Sequence, residues 1–220
     1  MQKFDTTAPI TVVLNVPAGR VRFVAAEQTE TTVTVLPAND SKGRDVKAAE
    51  QTAVAFADGV LRIETPVGRQ HLGSTGSVEV TVQLPARSRV EAKTESAELA
   101  TTGRLGDVSF EGAYRDIKLE EVAELRLTAV DGDVEVGRLG GSAEISTARG
   151  AIRIAEAAGG KLVLATRSGD ISVTAAAGVS ASLDAETSHG RVSNALKNDG
   201  TAGLEIHATT PNGDITARSL

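Results

Sequence analysis

Apolar and polar residues alternate along most of this chain, in short runs closed off by glycine. In the second half the alternation recurs in register. Thr-x-x-Gly, one further residue, then apolar residues on alternate positions reads TARGAIRI at 147–154, TRSGDISV at 166–173, TSHGRVSN at 187–194 and TPNGDITA at 210–217. Looser copies carry their glycines at Gly106 and Gly132. From Gly132 the steps to Gly150, Gly169, Gly190 and Gly213 are 18, 19, 21 and 23 residues. Period-two alternation buries one face of a strand, and recurrence at such a spacing marks a stacked repeat. The pattern predicts an all-β fold, a parallel β-helix (β-solenoid), with Gly106, Gly132, Gly150, Gly169, Gly190 and Gly213 at its structural corners. Glycine suits a corner because it admits left-handed backbone without a steric penalty.

Each turn of the predicted solenoid holds two short strands. The segments 125–136, 143–154, 162–173 and 181–192 all read as strand, glycine corner, strand. The threonine ahead of the corner favours strand and can hydrogen-bond across the stack. Arg89 to Glu98 has helical propensity, but its neighbours argue for strand.

The first half reads as antiparallel-style β structure, with candidate strands at 9–16, 20–25, 31–36, 52–57, 60–65 and 77–84. Asp58-Gly59 separates two of them by two residues, and an Asp-Gly pair accepts the positive φ angles of a type I′ hairpin turn. Segment 37–51 is polar and reads as a loop, in which DVKAAEQ at 45–51 can form a helical turn. A second loop runs from Pro66 to Gly76. VPAGRVRF at 16–23 is echoed by LPARSRVEA at 84–92, each read as strand, Pro-Ala turn, strand. A boundary is therefore expected near Pro85. Residues 1–85 form a β-strand region, sheet-like or sandwich-like, that caps or continues the stack, and residues 86–220 form the solenoid, with one continuous domain as the other arrangement.

Composition narrows the function classes. A chain of 220 residues buries roughly 70% of its unfolded surface, enough for a real core. It holds five aromatics, Phe4, Phe23, Phe56, Phe110 and Tyr114, so the core beyond residue 114 is filled by Val, Ile, Leu and Ala. Small side chains suit a narrow stack whose layers lie about 4.8 Å apart. The net charge is −6 with both signs interspersed. Without a basic stripe or exposed aromatics to stack on bases, nucleic-acid binding is not expected. The absence of cysteine excludes disulfides and thiolate chemistry and agrees with a reducing compartment. No apolar run approaches the ~20 residues that span a bilayer, so direct membrane insertion is not expected. The N-terminal segment lacks the apolar core of a signal peptide, and no sorting signal closes the sequence. The expectation is a cytoplasmic protein.

Asp107, Asp133, Asp170 and Asp214 follow corner glycines, as aspartates do in calcium-binding β-rolls. Those repeats are nine residues long, however, and here the column is broken by Ala151 and Arg191. Capping of backbone N–H groups is the expected role. His71, His189 and His207 have no metal-ligand spacing. Asp131 with Asp133, or Glu120 with Glu121, could pair as in glycosidases, but the short corners leave no cleft. The glycines at 103–106 and 137–141 lack the Lys-Ser/Thr of a phosphate loop, and Ser168, Ser188 and Ser193 lack a nucleophile elbow. No catalytic, cofactor-binding or metal-binding residue is predicted.

The repeats TRSGDISV and TPNGDITA, with the opening KFDTTAPITVVLNVPAGRVRF, resemble the bacterial putative-adhesin family of β-strand-repeat proteins, a domain of unknown function. The run at 178–198, DVKAAEQ and ADGVLRIETP are similar to its actinobacterial members. The resemblance spans essentially the whole chain. It implies a right-handed parallel β-helix-like fold and no catalytic residues.

The expected function is a non-enzymatic scaffold or interaction module that binds a protein partner or itself. A solenoid must cover the unpaired backbone of its last turn. After the strand at 214–217 only Arg218, Ser219 and Leu220 remain, which predicts an open C-terminal edge for self-association or strand addition. The alternative is an adhesin-like surface protein that binds cell-wall glycan.

Overall fold

The computed structural model describes residues 1–66, 76–112 and 114–220. Its internal contacts divide the chain into two compact units, Met1–Arg115 and Asp116–Leu220. The loop expected at 66–76 and His71 lie largely or wholly outside the described residues.

The first unit contains β1 (Gln2–Asp5), β2 (Thr11–Ala26), β3 (Glu30–Pro37), α1 (Gly43–Gln51), β4 (Ala53–Ala57), β5 (Val60–Glu64), β6 (Val78–Pro85), β7 (Arg89–Thr102) and β8 (Arg104–Gly112). Its centre is β2, which is parallel to β5 and β6 on one side and to β7 on the other. β8 adds to β7 in parallel. Three antiparallel strands border this stack: β4 on β5, β3 on β6 and β1 on β3. Inward-facing Val12, Leu14, Val16, Val21 and Phe23 of β2 are buried against Leu61, Ile63, Val80 and Val82.

The Asp58-Gly59 hairpin forms, with φ of 52° and 74° and Ala57 paired to Val60. The segment 45–51 belongs to a longer helix, anchored where the buried Asp45 carboxylate accepts the Ser77 N–H at 3.0 Å. The strands expected at 9–16 and 20–25 are one strand. Pro17 lacks an N–H and interrupts the ladder for one residue, after which pairing to β7 resumes at Ala18↔Ser96. The echo at 84–92 does turn, with Arg87 at φ 64°. Because β7 lies along β2, the first unit continues through Pro85 to Arg115.

The second unit is built from β9 (Ile117–Thr128), β10 (Val134–Leu139), β11 (Ala143–Thr147), β12 (Ile152–Ala157), β13 (Gly160–Thr166), β14 (Ile171–Ala175), β15 (Ala181–His189), β16 (Val192–Ala195), β17 (Leu204–Asn212) and β18 (Ile215–Ser219). All its ladders are parallel, as in a β-solenoid. The first half of β9 starts one face, which continues through β10, β12 and β14. Its second half starts the other, which continues through β11 and β13. Beyond that point the order departs from the chain. β13 pairs with β17, and β17 with β15; β14 pairs with β18, and β18 with β16. The last coil is threaded between the third coil and the fourth.

Residues of the return loop hold this arrangement. Gly203 donates its N–H to the Ser180 carbonyl and accepts from Gly160, both at 2.9 Å, which seats it between those two coils. The core is a set of apolar columns, and one of them runs Ile117, Val134, Ile152, Ile171, Ile215, Val192. Its members are buried up to Ile215, which is 1% exposed, whereas Val192 is 47% exposed. The fourth coil is therefore the outermost layer.

Candidate interaction edge

The corner glycines of the second unit stack in the threaded order. A Cβ on Gly150 would lie 2.1 Å from the Gly132 carbonyl oxygen, one on Gly169 2.1 Å from that of Gly150, and one on Gly213 2.1 Å from that of Gly169. Gly190 completes the column, 1.9 Å by the same measure from the carbonyl oxygen of Gly213. Gly132, Gly150, Gly169 and Gly213 have positive φ, while Gly106 and Gly190 do not. Gly106, in the first unit, is close-packed on the Arg87 carbonyl, 2.6 Å from where its Cβ would stand. Close approach of backbone to backbone is the requirement shared by Gly106, Gly150, Gly169, Gly190 and Gly213, and Gly132 has the positive φ of 131°.

Threonine and aspartate complete the corner. Hydroxyls of Thr166, Thr210 and Thr187 donate to the carbonyls of Gly150, Gly169 and Gly213 at 3.0 to 3.1 Å. The carboxylate of Asp133 accepts the Ala151 N–H, that of Asp170 the Asp214 N–H, and that of Asp214 the Arg191 N–H, each at 2.8 Å. These aspartates cap the next layer, as expected of turn residues. Asp107 instead pairs with Arg89. Among the described residues no group of three or more His, Cys, Asp or Glu is arranged to hold a metal ion.

The other candidates are dispersed. Asp131 pairs with Arg149 at 2.7 Å, and Asp133 with Arg153 at 3.3 Å. His207 Nδ1 lies 3.3 Å from Asp184 on the adjacent strand, and His189 is exposed at the end of β15. Neither histidine belongs to a larger polar cluster.

The open C-terminal edge expected at 214–217 is not there. β18 is paired to β14 on one side and to β16 on the other, because the returning chain enters an interior slot. The edge belongs instead to β15 and β16, whose ladders among the described residues run only to β17 and β18. Every residue of β16 is exposed. β15 alternates half-buried Leu183, Ala185 and Thr187 with exposed Asp184, Glu186 and Ser188. One sequence signal marks the outer layer: Asn194 occupies the inward column filled elsewhere by Val136, Ile154, Val173 and Ala217. There its Oδ1 accepts the Leu196 N–H at 3.0 Å, and the rest of the amide is affordable only where water reaches it.

Deeper in the stack, exposed charges meet opposite charges one coil away. Arg126 faces Glu144 at 3.0 Å, Lys118 and Arg153 face Glu135 at 3.5 and 3.6 Å, and Arg138 faces Glu156 at 3.5 Å. In the first unit Arg20 lies between Glu79 at 2.8 Å and Glu98 at 3.4 Å. Such exposed pairs are worth ~0–1 kcal/mol each.

Among curated proteins no match to the chain is found. Solved structures do match. A putative adhesin from Bacteroides fragilis is 13% identical over all of this chain and 95% of its own, with a TM-score of 0.58, and shares the fold. A putative adhesin from Parabacteroides merdae is 13% identical over all of this chain and 93% of its own, with a TM-score of 0.45. A putative cell adhesion protein from Clostridium sporogenes is 15% identical over all of this chain and 99% of its own, with a TM-score of 0.36. The family model described as Toastrack DUF4097 matches residues 11–219, nearly the whole length, and the chain belongs to that family.

Proposed function

We propose that this chain is a non-enzymatic interaction module that engages a protein partner by strand addition. The observation that carries the reading is the outermost coil, β15 with β16, whose ladders among the described residues run to one side only. On the other side the return loop engages Ala181, at the start of β15, whose N–H donates to the Lys197 carbonyl and whose carbonyl accepts from Asn198. Parallel strands with free N–H and C=O groups recruit an extended segment, and backbone hydrogen bonds then supply affinity. A non-catalytic role is supported by the dispersal of the candidate acids and histidines among the described residues, with Asp131 paired to Arg149, Asp170 capping the Asp214 N–H and His207 beside Asp184.

The rival reading is a surface adhesin that binds cell-wall glycan, suggested by the names of the structural neighbours. Sugar recognition commonly uses exposed aromatic faces, and Tyr114 is the large aromatic exposed among the described residues. A displayed random-peptide library and a panel of purified cell-wall polysaccharides, both offered to the full chain, separate the two. Enrichment of extended peptides with no polysaccharide retention is expected. Polysaccharide retention without peptide enrichment would overturn the reading.

A further inference from the structure

We propose that the outer edge of β15 binds a partner segment in which apolar residues alternate with Lys or Arg. This rests on the module reading above and specifies the partner's chemistry.

The alternation of β15 sets the rule. Leu183 and Ala185 point toward the core and end their apolar columns half-exposed, above Ile206 and Ala208. Asp184 and Glu186 point outward from the same strand, about 6–7 Å apart. Asp184 is 83% exposed and, among the described residues, pairs with the His207 ring on its inner side. Glu186 stands beside Thr209. β15 itself, ASLDAETSH, carries no Lys or Arg. An added strand therefore places apolar side chains over Leu183 and Ala185 and its outward side chains beside two carboxylates.

The chain shows the complement in its own layers. Arg20-Val21-Arg22-Phe23 has the required alternation, with Val21 and Phe23 in the core and Arg20 between two glutamates of the flanking strands. The edge of β15 presents the acidic half of such a layer with the basic half missing.

A second copy of this chain fits less well. Antiparallel pairing of two β15 strands about Ala185 sets Asp184 opposite Glu186 twice, and parallel in-register pairing sets each carboxylate on its own copy. Like charges directly opposed destabilise a ladder. Nucleic acid is repelled by the same carboxylates.

The test titrates the full chain with a capped synthetic peptide, Gly-Val-Lys-Val-Arg-Val-Lys-Gly, by calorimetry and by backbone NMR. Saturable binding is expected, with shifts centred on residues 181–195, weakening at high salt, and loss on N-methylation of alternate peptide amides. The D184K/E186K variant should bind at least about tenfold more weakly and should gain binding to a peptide with Glu in place of Lys and Arg. Both substituted residues are exposed, so an unchanged melting curve serves as the folding control, and D184N/E186Q is the milder variant should it be needed. Binding unaffected by charge reversal, shifts mapping elsewhere, or no binding at millimolar peptide would overturn the proposal. So would concentration-dependent dimerisation abolished by D184K/E186K, which would put a second copy on this edge. If library-selected peptides bind but ignore D184K/E186K, the edge assignment alone fails; if no peptide is ever selected, the module reading fails with it.

Discussion

The carboxylate of Asp170 accepts a hydrogen bond from the backbone N–H of Asp214 at 2.8 Å, across 44 residues of chain. The intervening repeat, with its own corner at Gly190, lies outside this contact. A corner bond that skips one repeat shows that the final coil was inserted, not appended. The first unit has a comparable feature, since its earliest long strand, β2, lies between strands that follow it in sequence.

Threading reverses the expected order of local stability. Amides of β17 and β18 should exchange more slowly than those of β15 and β16, although they are nearer the C-terminus, because they are paired on both sides. Native-state hydrogen exchange measures this directly. Removing residues 204–220 should also strip protection from 181–195, whereas Thr187→Pro should disturb β15 and leave β17 protected through β13. Equal protection of both coils would contradict the order of layers.

Corner glycines should be intolerant in proportion to what a Cβ would meet. Gly169→Val puts a branched side chain where the Gly150 carbonyl lies 2.1 Å away, at φ +150°. A loss of about 2–4 kcal/mol in urea unfolding is expected. Gly200→Ala, at positive φ but with nothing within 4 Å, should cost only about 1 kcal/mol.

The corner aspartates should behave as caps. Asp170→Ala leaves the Asp214 N–H without its acceptor and should cost about 1 kcal/mol. Asp107→Ala removes an exposed ion pair with Arg89 and should cost ~0–1 kcal/mol. Added calcium should leave the melting temperature of either variant and of the parent unchanged.

Asp199 in the return loop should titrate below the ordinary carboxylate value of 3.8, held down by the Ser180 hydroxyl and then by the Thr201 N–H. A carboxylate whose pKa is lower folded than unfolded stabilises the fold above 3.8 and loses that contribution as pH falls through its folded value. Carboxyl-carbon NMR titration reads the shift, and Ser180→Ala should move it back toward 3.8.

Much of this architecture was legible from residue order alone. Period-two alternation, the Thr-x-x-Gly recurrence and Asp-Gly at 58–59 are local signals, and strands, corners and hairpin follow from backbone sterics within a few residues. The layer order is different in kind. Ile206 accepts Leu162 on one face and Leu183 on the other with equal ease, so repeats of similar shape do not encode which neighbour each one takes. That choice was made by the return loop at 196–203 and by burial: the coil ending in Ile215 and Ala217 fills the interior slot, and the one carrying Val192 and Asn194 faces water. Asn194 was the trace of that choice in the sequence, but its meaning depends on a column assembled from residues far apart in the chain. The open edge moved from the last strand to the penultimate coil for the same reason, since burying the more apolar coil leaves the more polar one outside.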